Sequence, residues 1–200
     1  IIKGLFQFKV NEEFLFSVKI IISMIPAALV GVFFDEFIES FFCGKILLVG
    51  LMLIVTGAIL FVAERAKRTD KSVGFKDAIL IGIAQMVAIL PGISRSGSTI
   101  GTSVILGIDR EKAARFSFLM VVPLILGKVA KDVLSPEFSS ELANSEISSS
   151  VYAAGFATAF IVGILACTWM IKLVKRSKLS YFAYYCFIAG IATISWSLFA

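Results

Sequence analysis

The chain is organised by long apolar runs. Residues 14–34, 46–63, 116–134, 151–173 and 181–200 are predominantly apolar stretches, most of them near 20 residues long. About 20 such residues cross a bilayer core as a helix. Helices suit that medium because their backbone polar groups are satisfied internally. Composition agrees: 58% of residues are hydrophobic and 16% charged, against roughly 45–50% and 25% in soluble domains. The expectation is an all-α, polytopic membrane helical bundle, treated as a single transmembrane domain over residues 1–200.

Two further apolar pieces, 78–90 and 100–108, are too short to span comfortably. Between them lies PGISRSGST, residues 91–99. The Pro91-Gly92 pair ends the first piece, because proline disfavours helical geometry in the residue before it. A serine or threonine such as Ser98 can cap the second. Basic residues decide how this pair lies in the membrane. Loop 64–77 carries Arg65, Lys67, Arg68, Lys71 and Lys76; loop 108–115 carries Arg110, Lys112 and Arg115; loop 172–180 carries Lys172, Lys175, Arg176 and Lys178. The segment around Asp35, Glu36 and Glu39 has only Lys45, and 135–150 has no basic residue. The positive-inside rule puts the three basic loops in the cytoplasm. Residues 78–107 then enter and leave by one face, as a re-entrant helix-turn-helix with PGISRSGST at its tip. Glu64 and Asp77 flank the cytoplasmic side and read as solvated.

An arginine inside such a tip costs about 2.5–3.5 kcal/mol by the lower estimates, which marks Arg95 as functional. Its planar fork of donors matches phosphate oxygens. Backbone N–H groups of a glycine-containing turn and a helix N-terminus also face anions well. Ser94, Ser96, Ser98 and Thr99 add hydroxyls, and the stretch has no carboxylate. A phosphate or diphosphate is the expected ligand.

PGISRSGST closely resembles the signature of the bacterial undecaprenyl-diphosphate phosphatases, the bacitracin-resistance family. The resemblance extends through Gln85, RFSFLMVVP at 115–123 and MIPAALVG at 24–31. It implies an inverted-repeat fold with two re-entrant pairs. It also implies hydrolysis of a C55 polyprenyl diphosphate to the monophosphate, which recycles the cell-wall lipid carrier and confers bacitracin resistance. On this resemblance Arg95, Ser94 and Ser96 are catalytic, while Gly92, Gly97, Ser98, Thr99 and Gln85 bind substrate. A divalent cation, Mg2+ or Ca2+, is implied, with ligands mostly in an earlier re-entrant segment that carries two glutamates, a Ser-Ser-Thr cluster and a histidine. That segment is not in this sequence, which starts at Ile1. The expectation is therefore an N-terminally incomplete chain, inactive by itself, from a multi-pass protein of the bacterial plasma membrane. Its partners would be the lipid substrate and the membrane, with no nucleic acid and with a homodimer left open.

The competing reading is a secondary transporter or flippase for a phosphorylated lipid or anion, since broken helices and midplane anion sites are transporter traits. The chain has no histidine, which disfavours phosphohistidine chemistry within it. Cys43, Cys167 and Cys186 are widely spaced and read as small membrane-buried residues without metal-ligand spacing. MIPAALVG at 24–31 and MVVPLILG at 120–127 echo one another, and Asp35 and Asp132 each follow their proline by nine residues. Ser117 and Pro123 read as packing and kink residues.

Overall fold

The computed structural model describes residues 12–34, 41, 45–135, 148–175 and 179–199. Asp35, Glu36, Glu39, Cys43, Arg176 and Lys178 lie outside the described residues. The described helices are α1 Glu12–Phe33, α2 Ile46–Arg65, α3 Phe75–Val87, α4 Arg95–Ile105, α5 Arg110–Val133, α6 Ser149–Lys175 and α7 Leu179–Phe199. α1, α2, α5, α6 and α7 are long and apolar enough to cross a membrane. They match the five runs read from the sequence to within two residues, except that α5 begins at Arg110, inside the stretch read as loop 108–115, because Asp109 caps it.

α3 has 13 residues and α4 has 11, so each reaches only about 15–20 Å at 1.5 Å per residue. Neither can span. They form an antiparallel hairpin whose two ends meet. Lys71 bridges to Ile108, the Asp109 N–H donates to the Lys71 carbonyl at 3.0 Å, and the Thr69 hydroxyl donates to the Gly107 carbonyl. Both ends of the hairpin are therefore on one face, as the charge count required.

α2 packs along α7, α1 along α3, and α4 against α2, α3 and α5. Small residues set these distances, as membrane helix contacts favour. A Cβ placed on Gly190 would lie 2.9 Å from the Gly50 carbonyl oxygen, so α2 and α7 touch backbone to backbone. The buried core gathers Ile81, Ile100, Phe116, Met120 and Leu179 under the basic face. α1 and α5 contact each other and contain Pro26 and Pro123 respectively. These are the prolines of the echoed segments. Asp132 pairs with Lys128 at 3.2 Å. Cys186 is buried on α7, but Cys167 is exposed on α6; the outward faces of these helices carry most of the large apolar side chains.

Candidate anion site at the hairpin tip

The tip is a turn that the sequence specifies residue by residue. α3 tightens at its end, with Ile89 and Leu90 donating to carbonyls three residues back. Ile93 N–H then donates to the Leu90 carbonyl at 3.2 Å, and Gly92 has φ +93°. Proline followed by a positive-φ glycine is the type II turn arrangement. Gly92 also lies against the Val49 backbone, in the first turn of α2, and any Cβ there would collide with the Val49 carbonyl oxygen. The tip therefore reaches well across the bundle from the basic face.

α4 starts immediately after this turn. Ser94 is its N-cap: its hydroxyl accepts from the Gly97 N–H at 3.2 Å. The capping residue is thus Ser94, not Ser98, and helix begins at Arg95 instead of near residue 100. The polar residues of the signature form the first turns of α4, where N–H groups are aligned but unpaired within the helix. Ser94 is anchored from outside the hairpin. Its own N–H donates to the hydroxyl of Thr56 on α2 at 3.1 Å, and that hydroxyl donates in turn to the Met52 carbonyl at 3.1 Å.

Arg95 sits at the first position of α4, half-buried. It forms no ion pair or hydrogen bond from its guanidinium among the described residues, and it is the sole charged side chain between 88 and 108. As the first residue of α4, Arg95 stands at the positive end of the helix dipole, in the same turn as the Ser96 N–H. Such an N-terminus favours an anion. Ser96 is also half-buried there.

The other site candidates separate by their surroundings. Gly97 is buried, and a Cβ would lie 3.1 Å from Thr56 Cγ2, so it lets α4 close on α2. The Thr99 hydroxyl bonds the Arg95 carbonyl at 2.9 Å and the Ser117 hydroxyl at 2.5 Å. It locks α4 to α5. Ser98 is buried, with its hydroxyl unpartnered among the described residues. Gln85 on α3 is only 1% exposed, and both polar atoms of its amide are likewise unpartnered.

A second polar cluster, read from the sequence only as loop charge, holds the hairpin's base. Asp77 is buried and Glu64 half-buried, and both carboxylates are hydrogen-bonded. Asp77 accepts from the Gly74 N–H and from Lys71 Nζ, both at 2.9 Å. Burial pushes its carboxyl up, but these two bonds and the charges of Lys71 and Lys19 outweigh it, so the group lies below its ordinary value. Glu64 accepts from Arg110 Nη1 at 3.3 Å and from the Leu179 N–H at 2.9 Å, and Arg110 Nη2 also donates to the Glu64 carbonyl at 2.9 Å. These bonds join the ends of α2, α5 and α7. The sequence reading takes Lys71, Glu64 and Arg110 only as loop charges and does not name Thr56. For Thr56 the available signal was a hydroxyl inside the apolar run of α2.

The family described as bacitracin resistance protein BacA matches residues 1–192. The chain belongs to this family. A relative from Christiangramia forsetii named undecaprenyl-diphosphatase is 57% identical over 97% of this chain and 72% of its own length. Relatives of the same name from Parabacteroides distasonis and Methanosphaera stadtmanae are 47% and 41% identical, over 99% and 90% of the chain and 74% and 63% of their own lengths. As a BacA family member, this is a multi-pass membrane protein. Among the described residues no three His, Cys, Asp or Glu side chains gather into a metal-binding group. The tip residues 91–99 carry no carboxylate, histidine or cysteine that would hold a divalent cation.

Proposed function

We propose that the α3–α4 tip holds the diphosphate of undecaprenyl diphosphate, and that the protein releases its terminal phosphate to leave undecaprenyl phosphate. The observation that carries this reading is the half-buried Arg95, unpaired among the described residues, at the N-terminus of α4, in a chain whose relatives are named for this hydrolysis. In the reaction a P–O bond forms from water and the bond to the bridging oxygen breaks. Phosphoryl transfer asks of a protein mainly positioning and charge stabilisation. Arg95 supplies a fork for two phosphate oxygens. The Arg95 and Ser96 N–H groups and the Ser94 and Ser96 side chains surround the same end of the helix. Preorganised donors of this kind stabilise charge as it develops in the transition state.

The membrane setting fits the substrate, since a long polyprenyl tail can stay in lipid while its headgroup reaches the tip. The plasma membrane of a bacterium is the matching location. Naming of the relatives for hydrolysis favours cutting the bound diphosphate over transporting it. The test is inorganic phosphate release from undecaprenyl diphosphate by the purified full-length protein in detergent, with and without chelator. Release above the protein-free control is expected. Binding without release would overturn the reading.

A further inference from the structure

A cavity of about 540 Å³ lies on the basic face, between the start of α1, residues 72–73 and the first turns of α5. It adjoins the base of the hairpin, the end opposite Arg95. Among the described residues its lining carries three cations, Lys19, Lys112 and Arg115, and two carboxylates, Glu12 and Glu13. The side chains of Arg115 and Glu12 form no ion pair or hydrogen bond among the described residues. Lys112 Nζ meets neutral acceptors, the Asp70 carbonyl at 2.7 Å and the Ser72 hydroxyl at 3.0 Å. Lys19 is half-buried inside the apolar run 14–34, with Nζ 5.3 Å from the centre of the Phe75 ring. A lysine in such a run is costly, and its long stem lets the ammonium reach up to the membrane boundary. Depth orders these charges. Lys19 follows Glu12 by seven residues, about 10 Å along a helix, and Arg115 immediately precedes the apolar run 116–134. Lys19 and Arg115 therefore stand at the boundary, and the carboxylates stand beyond them toward the cytoplasm. On the membrane side the surface is apolar: Val122 and Leu126, seven and eleven residues after Arg115, are exposed.

We infer that this cavity binds the zwitterionic phosphoethanolamine headgroup of a membrane phospholipid, its phosphate between Lys19, Lys112 and Arg115 and its ammonium against Glu12 and Glu13. Basic pockets between membrane helices on the cytoplasmic side suit lipid headgroups, and the Arg115 fork suits phosphate oxygens. The two carboxylates choose among headgroups. In a phosphoethanolamine the ammonium follows the phosphate outward by two carbons, which is the order the lining presents from Arg115 to Glu12. An anionic glycerol headgroup would place hydroxyls beside both carboxylates and leave their charge unanswered. The acyl chains lie along Val122 and Leu126. A lipid held this way ties α1 to α5 beside the hairpin base, and a ligand that binds only the folded protein raises its stability by mass action.

The experiment titrates the purified full-length protein in detergent with phosphatidylethanolamine or with phosphatidylglycerol of the same acyl chains. The readout is the lipid concentration that gives half the maximal rise in Tm. Phosphatidylethanolamine is expected to act at a concentration about fivefold lower than phosphatidylglycerol. Arg115→Gln should raise the phosphatidylethanolamine concentration about fivefold, and Lys112→Gln tests the same contact if Arg115→Gln does not accumulate. Glu12→Gln combined with Glu13→Gln should erase the preference between the two lipids. Equal action of the two lipids on the unsubstituted protein overturns the inference. So does an unchanged titration in both cation variants, or a preference that survives the double glutamine substitution. Inorganic phosphate that reproduces the full rise in Tm would make the site one for free phosphate and overturn the lipid assignment.

Discussion

At the scale of single residues, the tip separates groups free to meet a ligand from groups already engaged. Arg95 and Ser96 belong to the first kind; Thr99 and Gly97 belong to the second, holding α4 against α5 and α2. Arg95→Lys keeps the charge but removes the fork. Phosphate release should fall at least tenfold, about 1.4 kcal/mol in the barrier, with the same amount of protein in the membrane fraction. Turnover equal to the unsubstituted protein would take Arg95 out of the reaction. Thr56 acts through Ser94. Thr56→Val keeps the volume but leaves the Ser94 N–H without its acceptor, a loss of about 1–3 kcal/mol for a buried donor. We expect kcat/KM to drop about tenfold, with most of it recovered in Thr56→Ser. The anionic character of the ligand was legible in PGISRSGST because arginine, glycine and hydroxyls are informative as residue types. The division of labour among the hydroxyls was not. It depends on which side of α4 each one occupies, and that followed from helix starting at Arg95 instead of near residue 100.

At the scale of elements, α3 and α4 are held as a hairpin from both ends. Gly92 against Val49 fixes the tip, and the bonds of Thr69, Lys71, Asp77 and Asp109 fix the base. Asp77 links the base to pH. Its folded pKa lies below the ordinary value of 3.8, so its stabilisation is complete above that value and is lost as pH falls through the folded pKa. Thermal stability in detergent should show an acid-side decline below about pH 4 that Asp77→Asn flattens. An unchanged acid limb in that variant would assign the decline to other carboxylates. The existence of the hairpin was readable from two apolar pieces too short to span. Its clamps were not, because Glu64 and Asp77 look like ordinary loop charges until their partners arrive from residues 71, 110 and 179.

At the scale of the whole molecule, the charge count and the contacts agree on one arrangement. The ends of α2, α5 and α7 meet at Glu64 and Arg110, and both ends of the α3–α4 hairpin meet at Lys71 and Ile108. Single cysteines at Thr69 and Asp109, in a chain with Cys43, Cys167 and Cys186 replaced by alanine, should react with an impermeant maleimide from the same side of the membrane. A cysteine at Lys45 should react from the other. Labelling of Thr69→Cys and Asp109→Cys from opposite sides would make the hairpin two spans. The amino-acid order alone determined which segments are long and apolar enough to cross a membrane, which loops share a face, and that an arginine sits among hydroxyls at a helix break. Those properties depend on hydropathy, local charge and the turn chemistry of proline and glycine, all of which act over a few neighbouring residues. Only the tertiary structure decided that Thr56 anchors Ser94 and that Thr99 and Asp77 are engaged. The bonds of Thr56 to Ser94 and of Thr99 to Ser117 join residues 38 and 18 positions apart, and such contacts exist only once close helix packing has chosen which faces meet.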